Sequence, residues 1–88
     1  MVSRVITITN ALGLHARPAA LFVKTAASFK CDVFVERDGI RVNGKSIMGI
    51  MMLAAEQGSV LSLEADGSDA QACVDALARL VESGFSED

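Results

Sequence analysis

The residues best suited to chemistry lie in segment 13–18, Gly-Leu-His-Ala-Arg-Pro, which contains the only histidine of the chain. A strand-like alternation precedes this segment and a helix-like periodicity follows it. Pro18 suits the first turn of a helix, and the N-terminus of a helix attracts anions through its unpaired N–H groups. We therefore predict that His15 accepts a phosphoryl group, that the guanidinium of Arg17 stabilises it, and that the backbone N–H groups of Ala16 and Arg17 bind its oxygens.

A histidine at this place could act without a catalytic partner. A neutral imidazole is nucleophilic near pH 7, and a phosphorylated ring nitrogen is a good leaving group. This chemistry suits a reversible carrier. A free-standing phosphatase would need a second acid or base, but the first acidic residue after His15 is Asp32. The plainer alternative is that His15 only caps the following helix, and the combination with Gly13, Arg17 and Pro18 favours the functional interpretation.

Length and composition exclude several other classes. The 88 residues predict a single domain over 1–88, and the net charge of −3 disfavours nucleic-acid binding. No secretory-signal pattern opens the sequence and no segment approaches membrane-spanning length, so a cytoplasmic location without membrane insertion is expected. Cys31 and Cys73 lack the spacing of a metal site, and we expect two buried, reduced thiols, no metal and no cofactor.

Hydrophobic patterns predict the order β-α-β-β-α-β-α. Strands are expected at 4–9, 32–37, 40–43 and 59–65, with a tight hairpin at Asp38-Gly39. Helices are expected at 16–28, at 47–53 behind an N-cap at Ser46 and closed by Gly58, and from a capping box of Ser68 and Gln71 to a stop at Gly84. Residues 85–88 are expected to fray. This order predicts a two-layer α+β domain with helices on one face of an antiparallel sheet.

Two segments together resemble a known family. Residues 13–20, Gly-Leu-His-Ala-Arg-Pro-Ala-Ala, and 44–51, Gly-Lys-Ser-Ile-Met-Gly-Ile-Met, are similar to HPr, the histidine-containing phosphocarriers of the bacterial phosphoenolpyruvate-dependent sugar phosphotransferase system. The resemblance covers nearly the whole chain. It implies an open-faced sandwich of a four-stranded sheet, in the order 1-4-2-3, with three helices on one face. It also implies a monomer.

The resemblance also implies roles for particular residues. His15 would be phosphorylated on Nδ1 by Enzyme I and would pass the phosphoryl group to Enzyme IIA domains, with Arg17 beside it. Ser46 matches the position that an HPr kinase/phosphorylase modifies in many bacteria, although an N-cap serine needs no further purpose. The expected partner contacts are Ala16, Ala20, Lys24, Ile47, Met48 and Met51, while methionines at helical spacing could equally belong to the core.

Two alternatives remain open at this point. Leu12 stands where many sugar-type relatives have a small polar residue, and an apolar residue there is more typical of proteobacterial and nitrogen-related relatives. The chain could therefore be a mainly regulatory phosphorelay carrier of the same family. In a different class, it could be a small anion-sensing module in which His15 contacts a ligand, with a ligand-dependent rise in melting temperature. His15 itself argues against the catabolite-repression relatives that lack this histidine.

Overall fold

The computed structural model describes residues 1–86, which form a four-stranded antiparallel sheet with helices packed on it. The sheet has the order β1-β4-β2-β3, so the predicted fold class and strand order are confirmed. The elements are β1 Val2–Thr7, α1 Ala16–Ala27, β2 Asp32–Arg37, β3 Ile40–Asn43, α2 Ile47–Met52, β4 Val60–Asp66, α3 Ala70–Glu82 and a short 3-10 helix at Gly84–Ser86.

The central strands β4 and β2 bury alternate side chains. In β4, Leu61, Leu63 and Ala65 are buried, and Val33 and Val35 of β2 pair with Ala65 and Leu63 on the same face. This alternation gives the sheet one apolar face, as expected for a half-covered antiparallel sheet. The core is therefore one layer of mainly aliphatic side chains between sheet and helices.

β1 begins and ends earlier than the sequence indicated, at 2–7 instead of 4–9. The residues that follow it still contact the β4 side of the sheet. The Ile8 N–H donates to the Ser59 carbonyl at 2.9 Å, and the Gly58 N–H donates to the Ile8 carbonyl at 2.8 Å. The apolar alternation continues through Ile8 because its side chain is buried, although regular pairing stops at Thr7.

Helices α1 and α3 pack their apolar stripes on the sheet and against each other. In α1 the buried residues are Pro18, Ala19, Phe22 and Ala26, and Val23 is half-buried. The observed range of 16–27 confirms the predicted helix to within one residue. Because α1 starts directly after His15, packing of its stripe fixes where the histidine is presented.

The Asp38-Gly39 hairpin forms as predicted between β2 and β3. Asp38 has φ +51° and Gly39 has φ +83°, so both central residues adopt the left-handed conformation. A two-residue turn of this type matches the twist of the two strands.

Helix α2 ends six residues before Gly58, which the sequence analysis placed as its end. Leu53 is its C-cap, and Ala54 has φ +49°, which interrupts the helical path. A left-handed alanine is unusual, so the apolar run through 53 gave no sign of this early turn.

The predicted capping box at the start of α3 is wrong. Asp69 is the N-cap, and it makes no side-chain cap hydrogen bond to the helix. Its carboxylate instead accepts the N–H groups of Lys30, at 2.8 Å, and Cys31, at 3.0 Å. These N–H groups precede β2, so Asp69 ties α3 to the start of that strand.

The expected fraying after Gly84 is also wrong for Phe85. Ser83 caps α3, Gly84 follows with φ +69°, and the Phe85 side chain is buried in the core. Residues 87 and 88 of the predicted frayed segment lie outside the described residues. Among residues 1–86, no helix is long and apolar enough to cross a membrane.

The contact at Asp69 predicts a measurable pH dependence of stability. The hydrogen bond from the Lys30 N–H holds the pKa of this carboxyl below its ordinary value. Its stabilising contribution is therefore present above the unfolded pKa, about 4, and is lost as pH falls through the folded pKa. Lowering the pH from about 6 to about 3 should reduce the urea midpoint more in the unaltered protein than in Asp69→Asn.

The matched control for this experiment is Asp32→Asn, which neutralises an exposed carboxylate at the start of β2. The control should keep the pH response of the unaltered protein. If Asp69→Asn also kept it, the two backbone hydrogen bonds would not depend on the ionised carboxylate.

Candidate functional site

His15 is the N-cap residue of α1. Its backbone is extended, with φ −76° and ψ −174°, and its carbonyl accepts the Ala19 N–H at 3.0 Å. Its side chain makes no cap hydrogen bond to the helix, and the residue is partly exposed. His15 therefore caps α1 through its backbone carbonyl, as the plainer alternative expects, and its imidazole takes no part in that cap.

The first turn of α1 has the electrostatics of an anion site. The first N–H groups of a helix have no carbonyl partner within the helix and carry a partial positive charge. Ala16 and Arg17 are exposed in this turn, Pro18 is buried beneath it, and the turn contains no acidic residue. The structure thus brings a partly exposed imidazole, a guanidinium and a helix N-terminus to one end of α1.

The loop before His15 is held in place by contacts that the sequence analysis did not identify. The Leu14 N–H donates to the Ala55 carbonyl at 2.8 Å. The buried Asn10 side chain donates from Nδ2 to the Gly13 carbonyl at 2.8 Å. The backbone carbonyl of Asn10 accepts the Gly13 N–H at 3.2 Å. These bonds fix the backbone up to the residue before His15.

Gly13 is required for this close approach. It has φ +68°, and a Cβ placed on it would lie 2.3 Å from the Ala55 oxygen and 2.9 Å from the Cα of Glu56. Only a residue without a side chain fits both the backbone conformation and the space. The glycine of the motif therefore lets two loops pack together behind the histidine.

Ser46 is the N-cap of α2, as predicted. Its Oγ accepts the Gly49 N–H at 3.1 Å, and its carbonyl accepts the Ile50 N–H at 3.0 Å. The residue is partly exposed. Its hydroxyl therefore has a structural use and some access to solvent.

Apolar side chains of α2 are exposed beside α1, against which α2 packs. Ile47, Met48 and Met51 are exposed, Met48 to 76% of its surface. The alternative that these methionines belong to the core is wrong, because Ile50 is the residue that α2 buries. Met52 and Leu12, which the sequence analysis did not assign to the contact surface, are exposed as well. Clustered exposed apolar side chains are typical of a protein-binding surface.

Ala20 and Lys24 lie one and two turns after Ala16 on α1, and all three are exposed. Residues four apart lie on the same face of a helix. The predicted contact residues on α1 therefore form one exposed stripe that begins beside His15. We call the two sets, Ala16, Ala20, Lys24, Ile47, Met48 and Met51, the α1–α2 surface.

The cysteines are not alternative nucleophiles. Cys31 and Cys73 are buried and free, and burial raises the pKa of the Cys73 thiol to about 12. The thiolate is the reactive form, so this group is protonated at neutral pH. Within residues 1–86, no group of three or more His, Cys, Asp or Glu side chains is placed to hold a metal ion.

Comparisons with known proteins agree over nearly the whole chain. A family model described as the PTS HPr component phosphorylation site matches residues 2–83. A phosphocarrier protein HPr of Neisseria meningitidis is 49% identical over 87 residues, which are 99% of this chain and 98% of that protein. The crystal structure of HPr-C-His from Thermoanaerobacter tengcongensis has a TM-score of 0.97 at 51% identity and covers 100% of this chain and 99% of its own.

A further solved relative is described as a dimer. A crystal structure of the catabolite repression protein Crh of Bacillus subtilis, described as a dimer with a swapped domain, has a TM-score of 0.77 at 46% identity. It covers 96% of this chain and 97% of that one.

The packing at Gly13 predicts that Gly13→Ala destabilises the protein more than Gly39→Ala. Both positions have positive φ, which costs an alanine about 1–2 kcal/mol. At Gly39 no atom lies within 4 Å of the added Cβ, whereas at Gly13 the Cβ meets the backbone of residues 55–56. Urea unfolding should therefore show a free-energy loss of about 1–2 kcal/mol for Gly39→Ala and about 3 kcal/mol or more for Gly13→Ala. Equal losses would mean that the 55–56 backbone moves aside without cost.

Proposed function

Because the chain belongs to the HPr family of phosphocarrier proteins, we propose that His15 accepts a phosphoryl group from phospho-Enzyme I and passes it to Enzyme IIA domains for sugar uptake. One observation carries this proposal. The imidazole lies at the N-terminus of α1, is not used to cap the helix, and has Arg17 in the following turn. The site therefore combines a nucleophile with two sources of positive potential.

In the proposed transfer, Nδ1 of His15 attacks the phosphorus atom of the donor. A nitrogen–phosphorus bond forms as the bond between phosphorus and the Enzyme I donor breaks, and the phosphoryl oxygens keep their charge throughout. Arg17 and the first N–H groups of α1 stabilise that charge. The reverse steps deliver the group to an acceptor, because the imidazole leaves readily and remains unchanged.

The absence of a general base from the first turn of α1 fits a carrier. No acidic residue lies in that turn, so the turn itself offers no carboxylate to activate water against the phosphorus atom. A bound phosphoryl group would therefore persist until a partner removes it.

The α1–α2 surface is proposed to dock Enzyme I and the Enzyme IIA domains in turn. Its apolar side chains are exposed beside the helix that carries His15, which is the arrangement that successive partners of one site require. Methionine side chains adapt to differently shaped partners. Leu12, exposed in the loop before His15, extends this surface toward the histidine.

Ser46 is proposed as a regulatory phosphorylation site for an HPr kinase/phosphorylase. A phosphate there would add about −1.5 to −2 charges at the N-terminus of α2, where the helix dipole tolerates it. The fold would survive while the charge of the α1–α2 surface changes. A partner with an acidic docking face would then be repelled.

The proposed carrier acts in the cytoplasm as a monomer. The dimer described for a solved Crh relative is an assembly of that protein, and the α1–α2 surface would stay open in a monomer.

A second candidate function is a regulatory phosphorelay carrier that uses the same histidine. Leu12 favours it, since an apolar residue at this place is more typical of proteobacterial and nitrogen-related relatives. Transfer from sugar-system and nitrogen-system Enzyme I proteins in parallel would distinguish the two carriers.

The proposed function predicts a single acid-labile phosphoryl group on this protein. Incubation with phosphoenolpyruvate, Mg²⁺ and Enzyme I should add one phosphoryl mass, and acid treatment should remove it. The variant His15→Ala should fold normally and gain nothing, because the chain has one histidine. Intact-protein mass spectrometry checks both results.

Retained acid-labile labelling in His15→Ala would contradict the assignment of the acceptor. No mass gain in the unaltered protein with a cognate Enzyme I would contradict the carrier function. A rise in melting temperature with a small anion in that case would favour the sensing module.

The Ser46→Asp variant should lower the rate of transfer from Enzyme I several-fold. Aspartate is itself a good N-cap, so the urea midpoint should change little. The matched control is Ser68→Asp, which adds the same charge at an exposed residue before α3 and on neither α1 nor α2. Stopped-flow transfer kinetics that are equal in both variants would remove the support for a docking role of the α2 region.

A further inference from the structure

We propose that Arg37 is a positioning residue for the phosphoryl-acceptor segment, which it holds through the turn that follows α2. The inference rests on the proposed function of His15. It concerns a residue that lies outside the two family motifs and is joined to the site by hydrogen bonds and peptide units.

Arg37 is the last residue of β2, so the sheet fixes its backbone. Its Nη1 donates to the Leu53 carbonyl at 2.8 Å and to the Ala54 carbonyl at 3.1 Å. These carbonyls lie at the C-terminus of α2, where the last carbonyls have no partner within the helix and carry partial negative charge. The guanidinium therefore satisfies and neutralises the end of α2.

The residue that Arg37 restrains has a strained backbone. Ala54 has φ +49°, a conformation that costs a residue with a side chain free energy and that persists only where neighbours enforce it. The bonds to Leu53 and Ala54 lie on either side of that strained dihedral. Arg37 is thus placed to hold the turn in its left-handed form.

The turn in its left-handed form presents the Ala55 carbonyl to the histidine loop. That oxygen accepts the Leu14 N–H at 2.8 Å, and the adjoining backbone fills the space left by Gly13. Leu14 directly precedes His15. The series Arg37, Ala54, Ala55 and Leu14 therefore connects the end of β2 to the histidine through consecutive hydrogen bonds and peptide units.

Within residues 1–86, Arg37 has no recorded partner stronger than these two carbonyls. Its Nε lies 3.7 Å from the Asp38 carboxylate, which is 85% exposed, and such surface pairs contribute little. Its side chain is more buried than that of Arg41, on the neighbouring strand. The two carbonyl contacts are the principal interactions of its guanidinium among those the structure records.

The test compares Arg37→Met with the matched control Arg41→Met. Both variants remove one guanidinium and keep most of the aliphatic stem, but Arg41 pairs with Glu64 and stacks on Phe34, away from the turn. Two quantities are measured in each variant. They are native-state hydrogen exchange of the Leu14 amide and the kcat and KM for phosphoryl transfer from phospho-Enzyme I.

In Arg37→Met we expect the Leu14 amide to exchange about tenfold faster and kcat to fall about tenfold, since the acceptor is less well oriented. KM should stay within about twofold, because the docking surface is intact. The Cys73 amide, which donates to the Asp69 carbonyl within the α3 start, reports global opening and should stay protected. Arg37→Lys should recover part of both losses by donating to the same carbonyls.

Unchanged Leu14 exchange and kcat in Arg37→Met would overturn the proposal. Equal effects in Arg41→Met, or parallel acceleration at Cys73, would also overturn it, because the role would then be general stability. If the unaltered protein accepted no phosphoryl group, the proposed function would fail, and the Leu14 measurement would still decide whether Arg37 orders the segment.

Discussion

The hydrogen bond from the Leu14 N–H to the Ala55 carbonyl joins the two loops on which the site depends. It forms only because Gly13 has no side chain, so that the two backbones can approach each other closely. His15 follows at once and begins α1, so an error in this contact would change where the imidazole and the helix N-terminus meet. A hydrogen bond of ordinary strength thus has a large geometric effect, because it acts one residue before the nucleophile.

The rest of the structure keeps that contact in register. The core seats α1 by its apolar stripe, with Phe22 buried against the sheet, and α2 packs beside it through Ile50. Asp69 ties the start of β2 to α3, while the end of β2 supplies Arg37 to the turn after α2. Both ends of one strand therefore support the helical layer, and the site is set on α1, which packs against both other helices of that layer.

Local signals in the sequence were enough for most of the fold. Asp38-Gly39 and Ser46 act within two or three residues of themselves, so their hairpin and N-cap followed from residue type. The contacts of Asn10, Ala55 and Asp69 are made with backbone atoms, and the types of the partner residues do not predict them. The early end of α2 was hidden for the same reason, because alanine at 54 gives no sign of a left-handed turn. The methionines were ambiguous since helical periodicity alone does not say which face of so short a helix is covered.

The exposure of His15 and the lack of a carboxylate in the first turn of α1 fit the proposed transfer better than hydrolysis. A nucleophile that must meet several partners has to be accessible, and here His15 is partly exposed at a helix end with apolar side chains beside it. Accessibility also admits water, yet water attacks slowly without a base, and the first turn of α1 has no carboxylate. In the proposed transfer, the positive potential of Arg17 and the helix would stabilise the phosphoryl charge equally for donor and acceptor. In the proposed carrier, the partner docked on the α1–α2 surface would determine which way the group moves, and the fold itself would need only to hold the loop behind His15 still.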